Sequence, residues 1–433
     1  MTTAMTATEK VLARASGRAQ VRPGETVYPD PELVIVHDGY VASSKAQLDE
    51  LGIPKLFDQK RVVFATDHAV VYTTPQQVSR GTAIRQAVRE WGVENFFDVG
   101  QGGHGHLFPM EMGMVSPGSF LFANDVHCTN NGAVGAVAMR TGTEIICVLA
   151  TGTMWVEVPP TIRITLEGNL QPGVLGRDLG YRLARDFTNG TYGVDWDYRV
   201  LEFAGDALDG LDLATRIAIC NTVTEIGVAN LFFPPSDKII ADARRRAQKP
   251  FTPVYSDANA HYEAELRIDL NRLGPQVVMP GAPDQAVEIG DAVGRKVDHA
   301  FIGSCGSGMY EDLELTAEIL RGRKVAPGTR LFIVPGTTAS AQRIVETGLM
   351  RVFQDAGAIV LPAGCGPCTR GNMAPLAPGE VSISTAATNI AGRMGAKDAD
   401  IYLASPATVA CSAIEGRITD PRGFGGLFHR EAA

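Results

Sequence analysis

Three cysteines carry the spacing of a metal centre: Cys305 in Ile302-Gly303-Ser304-Cys305-Gly306, and Cys365 with Cys368 in Gly364-Cys365-Gly366-Pro367-Cys368. One cysteine followed by a distant CxxC offers three thiolates and no evident fourth. Iron–sulfur cubanes usually take four cysteines. Three would leave one metal position open to water or substrate, as catalytic metal sites require. Zinc is the main alternative, with Cys411 or a histidine as fourth ligand. A thioredoxin-like role is weaker, because Gly366-Pro367 does not open a redox helix in the expected context. Spacing alone leaves a cluster, a zinc site and inert cysteines open.

The histidines form a second pattern. Asp67-His68 and Asp125-Val126-His127 each follow an apolar run, and Gly103-His104-Gly105-His106 lies in a glycine-rich loop. Carboxylates beside imidazoles orient them and tune their basicity. His104 reads as a loop residue without a role. Asn221 and Glu225 stand i,i+4 and should share a helical face, which on pattern alone reads as solvated. Gly100 to Gly105 lacks the lysine of a phosphate loop.

The elements that must hold these residues alternate between short β-branched runs and amphipathic stretches. Leu33–Val36, Arg61–Ala65, Phe120–Ala123, Ala300–Ile302, Arg330–Val334 and Ala358–Leu361 read as buried strands. Thr161–Leu166 alternates and fits a strand with one wet face. Pro75–Trp91, Glu311–Arg321 and Ser340–Ala356 read as helices, the first with Val78, Ile84, Val88 and Trp91 apolar. Both cysteine loops follow carboxyl ends of strands, where open α/β sheets place ligands. Gly274–Asp291, rich in Pro and Gly at its start, reads as an interdomain connection.

Composition narrows the class. The chain has 433 residues, 45% apolar and 20% charged, enough for two to four domains. A formal charge of −9 argues against nonspecific nucleic-acid binding. Seven cysteines are too sparse for a secreted disulfide framework. The polar N-terminus has no apolar core of signal length, and no apolar run reaches membrane-spanning length. Ile145–Ala150 is only strand-sized. A cytoplasmic location with no membrane association is the expectation.

In order along the chain, several segments carry a family resemblance. They include Glu9-Lys10-Val11-Leu12-Ala13-Arg14, Ala65-Thr66-Asp67-His68, Pro117-Gly118-Ser119 and Asn124-Asp125-Val126-His127. Further on come Leu149–Trp155, Ile219-Cys220-Asn221, the two cysteine motifs, Gly392-Arg393 and Ser405-Pro406-Ala407. Together these resemble the aconitase superfamily, nearest to the large subunits of 3-isopropylmalate dehydratase and homoaconitase. The resemblance implies an α/β fold of three α/β/α domains around a central cluster cleft, at 1–160, 161–290 and 291–433, without the swivelling fourth domain. It implies a [4Fe–4S] cluster on Cys305, Cys365 and Cys368 with one open iron that binds the substrate's hydroxyl and a carboxylate. It pairs Asp67 with His68, Asp125 with His106 and Glu225 with His127 as catalytic groups. Asn221 matches a position near the iron-bound water, and Arg393 the family's second arginine.

The positions that grip substrate depart from the family. Its Ser-Cys-Thr-Asn-Ser is here Ser304-Cys305-Gly306-Ser307-Gly308, and its Asn-Arg-Asn is Ala387-Thr388-Asn389. A serine between the Asp and His is Val126, and a glutamine falls at Lys45. Thr cannot replace a bidentate guanidinium. The expected substrate is therefore not ordinary 2- or 3-isopropylmalate but a small hydroxy acid related to isopropylmalate, homocitrate or a smaller malate-type acid. It either lacks one carboxylate or meets a substitute cation such as Lys45. The reaction is dehydration or hydration, with isomerisation if water returns to the neighbouring carbon. Arg422–Ala433 ends as in two-subunit members, so a separate small subunit is expected. A competing reading is a non-catalytic iron–sulfur sensor or RNA-binding relative, against which the −9 charge and the filled acid–histidine positions weigh.

Overall fold

Parallel strands with both faces covered need apolar residues along their whole length, and the strands of this chain have that character. The computed structural model describes residues 4–424; 425–433, where the chain was expected to stop as in two-subunit enzymes, lie outside the described residues. The chain divides into two compact units. The first comprises 1–166, 194–213 and 227–268; the second comprises 167–193, 214–226 and the chain from 269 onward.

In the first unit, β1 (Leu33–His37), β2 (Val62–Ala65), β3 (Asn95–Phe97), β4 (Phe120–Ala123) and β5 (Val137–Arg140) form a sheet in the order β3-β2-β1-β4-β5. Every pairing in it is parallel. Helices α1 (Asp38–Glu50) and α2 (Pro75–Trp91) follow β1 and β2. Helix α2 matches its expected span because its ends are written in sequence. The Thr74 hydroxyl accepts from Gln77 N at 3.3 Å, Pro75 opens the first turn, and Gly92 closes it at φ +66°. Ile84, Val88 and Trp91 are buried in a core with Val34, Phe64, Phe120 and Phe122. Burying such a side chain is worth about 1.5–3 kcal/mol over leaving it exposed. Val78, expected on that face, is instead exposed. A second sheet has the order β8-β7-β6-β9, from β6 (Thr161–Glu167), β7 (Val200–Ala204), β8 (Asn230–Phe232) and β9 (Ala264–Asp269).

The second unit holds a seven-stranded sheet in the order β11-β10-β16-β15-β12-β13-β14. Its strands are β10 (Gln276–Val278), β11 (Ala286–Glu288), β12 (His299–Gly303), β13 (Arg330–Val334), β14 (Ile359–Val360), β15 (Val381–Ser384) and β16 (Asp400–Ala404). The five strands from β12 to β16 pair in parallel, while β10 runs antiparallel to both its neighbours. The stretch expected as a connection, Gly274–Asp291, therefore supplies two strands. This unit also contains α3 (Gly176–Thr188) and all but the first residue of α4 (Leu213–Val223).

Three other expectations differ from the structure. The expected boundaries at 160 and 290 do not coincide with those of the compact units: within 161–290, β6 to β9 lie mainly with the first unit, and β10, β11, α3 and nearly all of α4 with the second. Ser340–Ala356 is two helices, Thr338–Glu346 and Leu349–Ala356, broken where Gly348 takes φ +77°. Ile145–Thr151 is a helix, since a short apolar run does not reveal its own period. No described helix is long and apolar enough to cross a membrane.

His299 on β12 is wholly buried, with Nδ1 3.0 Å from Ser382 Oγ. Burial pushes its pKa down to about 4, from an ordinary 6.5. On acidification the unfolded chain takes up this proton first. Stability is then lost between the ordinary value and about 4, by roughly 3 kcal/mol, and the loss stops below that. Denaturant unfolding at pH 7 and near pH 4 should show a larger loss in wild type than in His299→Gln; equal losses would refute this.

Candidate active site

Because β1, β2, β3 and β4 run in parallel, their carboxyl ends open on one edge of their sheet. His37-Asp38 follows β1, Asp67-His68 follows β2, the His104–His106 loop follows β3 and Asp125–His127 follows β4. The carboxylate of Asp67 is the hub. Its Oδ1 lies 2.7 Å from His68 Nδ1 and its Oδ2 2.7 Å from His37 Nδ1. Oδ2 also accepts from Gly105 N at 2.8 Å and stands 3.3 Å from His104 Nδ1. A Cβ on Gly105 would meet the His37 ring at 2.8 Å, so only glycine lets this loop approach. Asp125 Oδ1 joins a second pair, 3.0 Å from His106 Nε2 and 3.0 Å from His127 Nδ1. The His37 and His106 rings lie 4.3 Å apart.

This packing separates the protonation states. Burial would raise the Asp67 pKa, but the charges of His37, His68 and His104 hold it well below the carboxylate range. Burial opposes a charge on His68, yet Asp67 and Asp38 raise it well above its ordinary value. Burial, with His37 beside it, pushes His106 down to about 4. One imidazole is thus held as a proton donor and another as an acceptor, as acid–base chemistry at one pH requires.

In the second unit the same topology gathers the cysteines. Cys305 follows β12, Cys365 and Cys368 follow β14, and Thr388 follows β15. All seven cysteines of the chain are outside disulfides, and these three are buried. Each of their sulfurs receives a hydrogen bond: Cys305 from Asn221 Nδ2 at 3.2 Å, Cys365 from Thr369 Oγ, and Cys368 from Arg393 Nη2 at 3.9 Å. The bond from Cys365, with Arg393 acting against burial, holds the Cys368 thiol well below its ordinary pKa. Among the described residues, triads of donor atoms within 4.8 Å occur in the first unit, as in His37–Asp67–His68 and His106–Asp125–His127; the three thiols form no such triad. Buried sulfurs that accept hydrogen bonds, two of them hydrogen-bonded to each other, fit a thiolate-held cluster.

Several expected residues sit otherwise than foreseen. Asn221 is fully buried rather than solvated, and Glu225 lies on the 3-10 turn Thr224–Ile226 beyond the end of α4, so the two share no helical face. His127, which the resemblance pairs with Glu225, also has Nδ1 3.0 Å from Asp125 Oδ1. Lys45 stands on α1 with its ammonium 2.6 Å from Asp49 and 3.0 Å from Glu90, so its charge is already offset. Ser307 Oγ donates to the Gly306 carbonyl at 2.7 Å. Thr388 is buried. His104, read as without a role, is buried against Asp67. His37 and Asp38 were missed, although they follow an apolar strand as Asp67 and His68 do. Arg177 was also missed, and it is fully buried.

Residues 31–416 match the aconitase family (aconitate hydratase). The chain belongs to the aconitase family. It is therefore a hydro-lyase of that family, with the iron–sulfur chemistry the family implies. It is 37% identical to the 3-isopropylmalate dehydratase large subunit 1 of Methanopyrus kandleri, over 97% of this chain and 99% of that one. It is 36% identical to the large subunit from Moorella thermoacetica over 96% and 98%, and 36% to large subunit 1 of Pyrococcus furiosus over 96% and 98%. The holo-form of aconitase X from Thermococcus kodakaraensis shares the fold, at TM-score 0.50 and 11% identity over 88% of this chain and 89% of that one.

The hub makes one aconitase-family feature measurable. In Asp67→Asn the His68 imidazole loses its main charge partner, so its NMR titration should move to lower pH. A titration unmoved by the substitution would contradict the assignment.

Proposed function

We propose that this chain is the cluster-bearing large subunit of a two-subunit hydro-lyase that removes water from a small hydroxy acid of the isopropylmalate class. The observation that carries the reading is the buried trio Cys305, Cys365 and Cys368, each sulfur with its own hydrogen-bond donor. The relatives are named as dehydratase large subunits across almost the whole chain, which supports both the reaction and a separate small subunit. Those three cysteines would hold a [4Fe–4S] cluster. When bound, a cluster with one open iron supplies Lewis-acid polarisation of a hydroxyl.

The chain's own groups divide the proton work. Asp67 keeps a proton on His68, which makes His68 the donor to a departing hydroxyl. Burial keeps His106 neutral, and Asp125 orients it and His127. We assign Glu225 as a further carboxylate of the proton-transfer set. Asn221 and Arg393 present N–H groups beside the sulfurs. Thr388 offers a hydroxyl where the family resemblance has arginine, and Lys45 is engaged elsewhere. We therefore assign a substrate whose group facing Thr388 is not a carboxylate.

The anaerobically reconstituted chain, mixed with its small subunit, should form conjugated enoate from a hydroxy acid in a panel of malate derivatives, with little turnover by the chain alone. Full turnover without a partner would contradict the two-subunit reading. Asp67→Asn should lower turnover by about 10²–10⁴-fold while iron content holds. Thr388→Arg should shift preference toward isopropylmalate; an unchanged preference would contradict the substrate assignment.

A further inference from the structure

A buried arginine without a carboxylate partner needs an explanation. Arg177, on α3, is 0% exposed. Its Nε donates to Tyr181 Oη at 3.0 Å, its Nη1 to Asn221 Oδ1 at 3.3 Å and its Nη2 to the Ala386 carbonyl at 2.8 Å. All three partners are neutral. The adjacent carboxylate, Asp178, feels the Arg177 charge, but burial pushes its pKa up to about 7 and its oxygens accept from the backbone N–H groups of Leu175 at 2.7 Å and Gln276 at 2.8 Å. A guanidinium taken out of water without a counter-charge is strongly unfavourable, so burial of this kind points to an anion nearby.

The same guanidinium fixes an amide. Arginine only donates, so the Asn221 end that faces Arg177 must be the oxygen. The other end, Nδ2, then points at Cys305 Sγ, 3.2 Å away. Gly306 completes the arrangement: a Cβ there would run into Arg177 Nη1 and Asn221 Oδ1. The residue after Cys305, where the chain departs from its family's threonine, is thus the one that makes room for this contact.

We infer that Arg177 is a positioning residue for the cluster, holding the Asn221 N–H on Cys305 Sγ and supplying the buried positive charge that balances the thiolate-bound group. This rests on the cluster reading above. Hydrogen bonds to cluster sulfurs and nearby positive charge favour the reduced, more negative state. Loss of Arg177 therefore lowers the reduction potential and need not empty the site.

The test uses the anaerobically reconstituted full chain, with iron and sulfide measured per chain and the potential followed by EPR. Arg177→Met should keep iron and sulfide but be reduced about tenfold less readily, a shift of about 59 mV for one electron. Arg177→Lys should recover part of this. Gly306→Ala, which keeps the charge and breaks the contact, should shift the same way and carries the test if Arg177→Met does not fold. Loaded variants with wild-type potential and EPR signal would overturn the inference. A wild-type chain that takes up no iron and sulfide would overturn the cluster reading itself.

Discussion

Parallel strand pairing is the constraint on which both sets of functional groups depend. In a parallel sheet every carboxyl end opens on the same edge. Within the first unit four loops, and within the second three, therefore present their side chains on one edge of their own sheet. The strands tolerate this because they are almost wholly apolar: all five residues of β1 and all five of β12 are buried, with His37 and His299 the one polar side chain in each. The polar atoms left at the strand ends meet in networks, although His37 Nε2 and His106 Nδ1 find no hydrogen-bond partner among the described residues.

The two networks solve different physical problems. Around Asp67, one carboxylate serves three imidazoles and a backbone N–H, so its charge is stabilised by several partners while the imidazoles diverge in basicity. Around the cysteines the problem is the reverse. Thiolates brought together repel one another, and the donors Asn221, Thr369 and Arg393 are the groups that reduce that cost. On the proposed reading, the first network prepares proton transfer and the second a place for a cofactor.

Much of this was legible in the chain. Cap residues and uniform apolar runs placed α2 and most strands, because those signals are local. The cysteine spacing and the Asp–His pairs were visible for the same reason. What escaped depended on burial rather than on pattern. Asn221 and Arg177 look like exposed polar residues on helices, and only tertiary packing makes them interior. Gly274–Asp291 looked like a linker because antiparallel β10 and β11 are short and flanked by Pro and Gly. His37 escaped although its position after β1 repeats the pattern of His68. Sequence also does not show that Asp49 and Glu90 lie beside the Lys45 ammonium.

The central claim is that Cys305, Cys365 and Cys368 together hold a cubane with one distinct iron. Mössbauer spectroscopy of the chain reconstituted with ⁵⁷Fe tests it most directly. The account predicts four irons per chain, one of which changes its spectrum when a hydroxy acid is added. Four equivalent irons indifferent to the acid, or a centre that takes zinc and no sulfide, would contradict it.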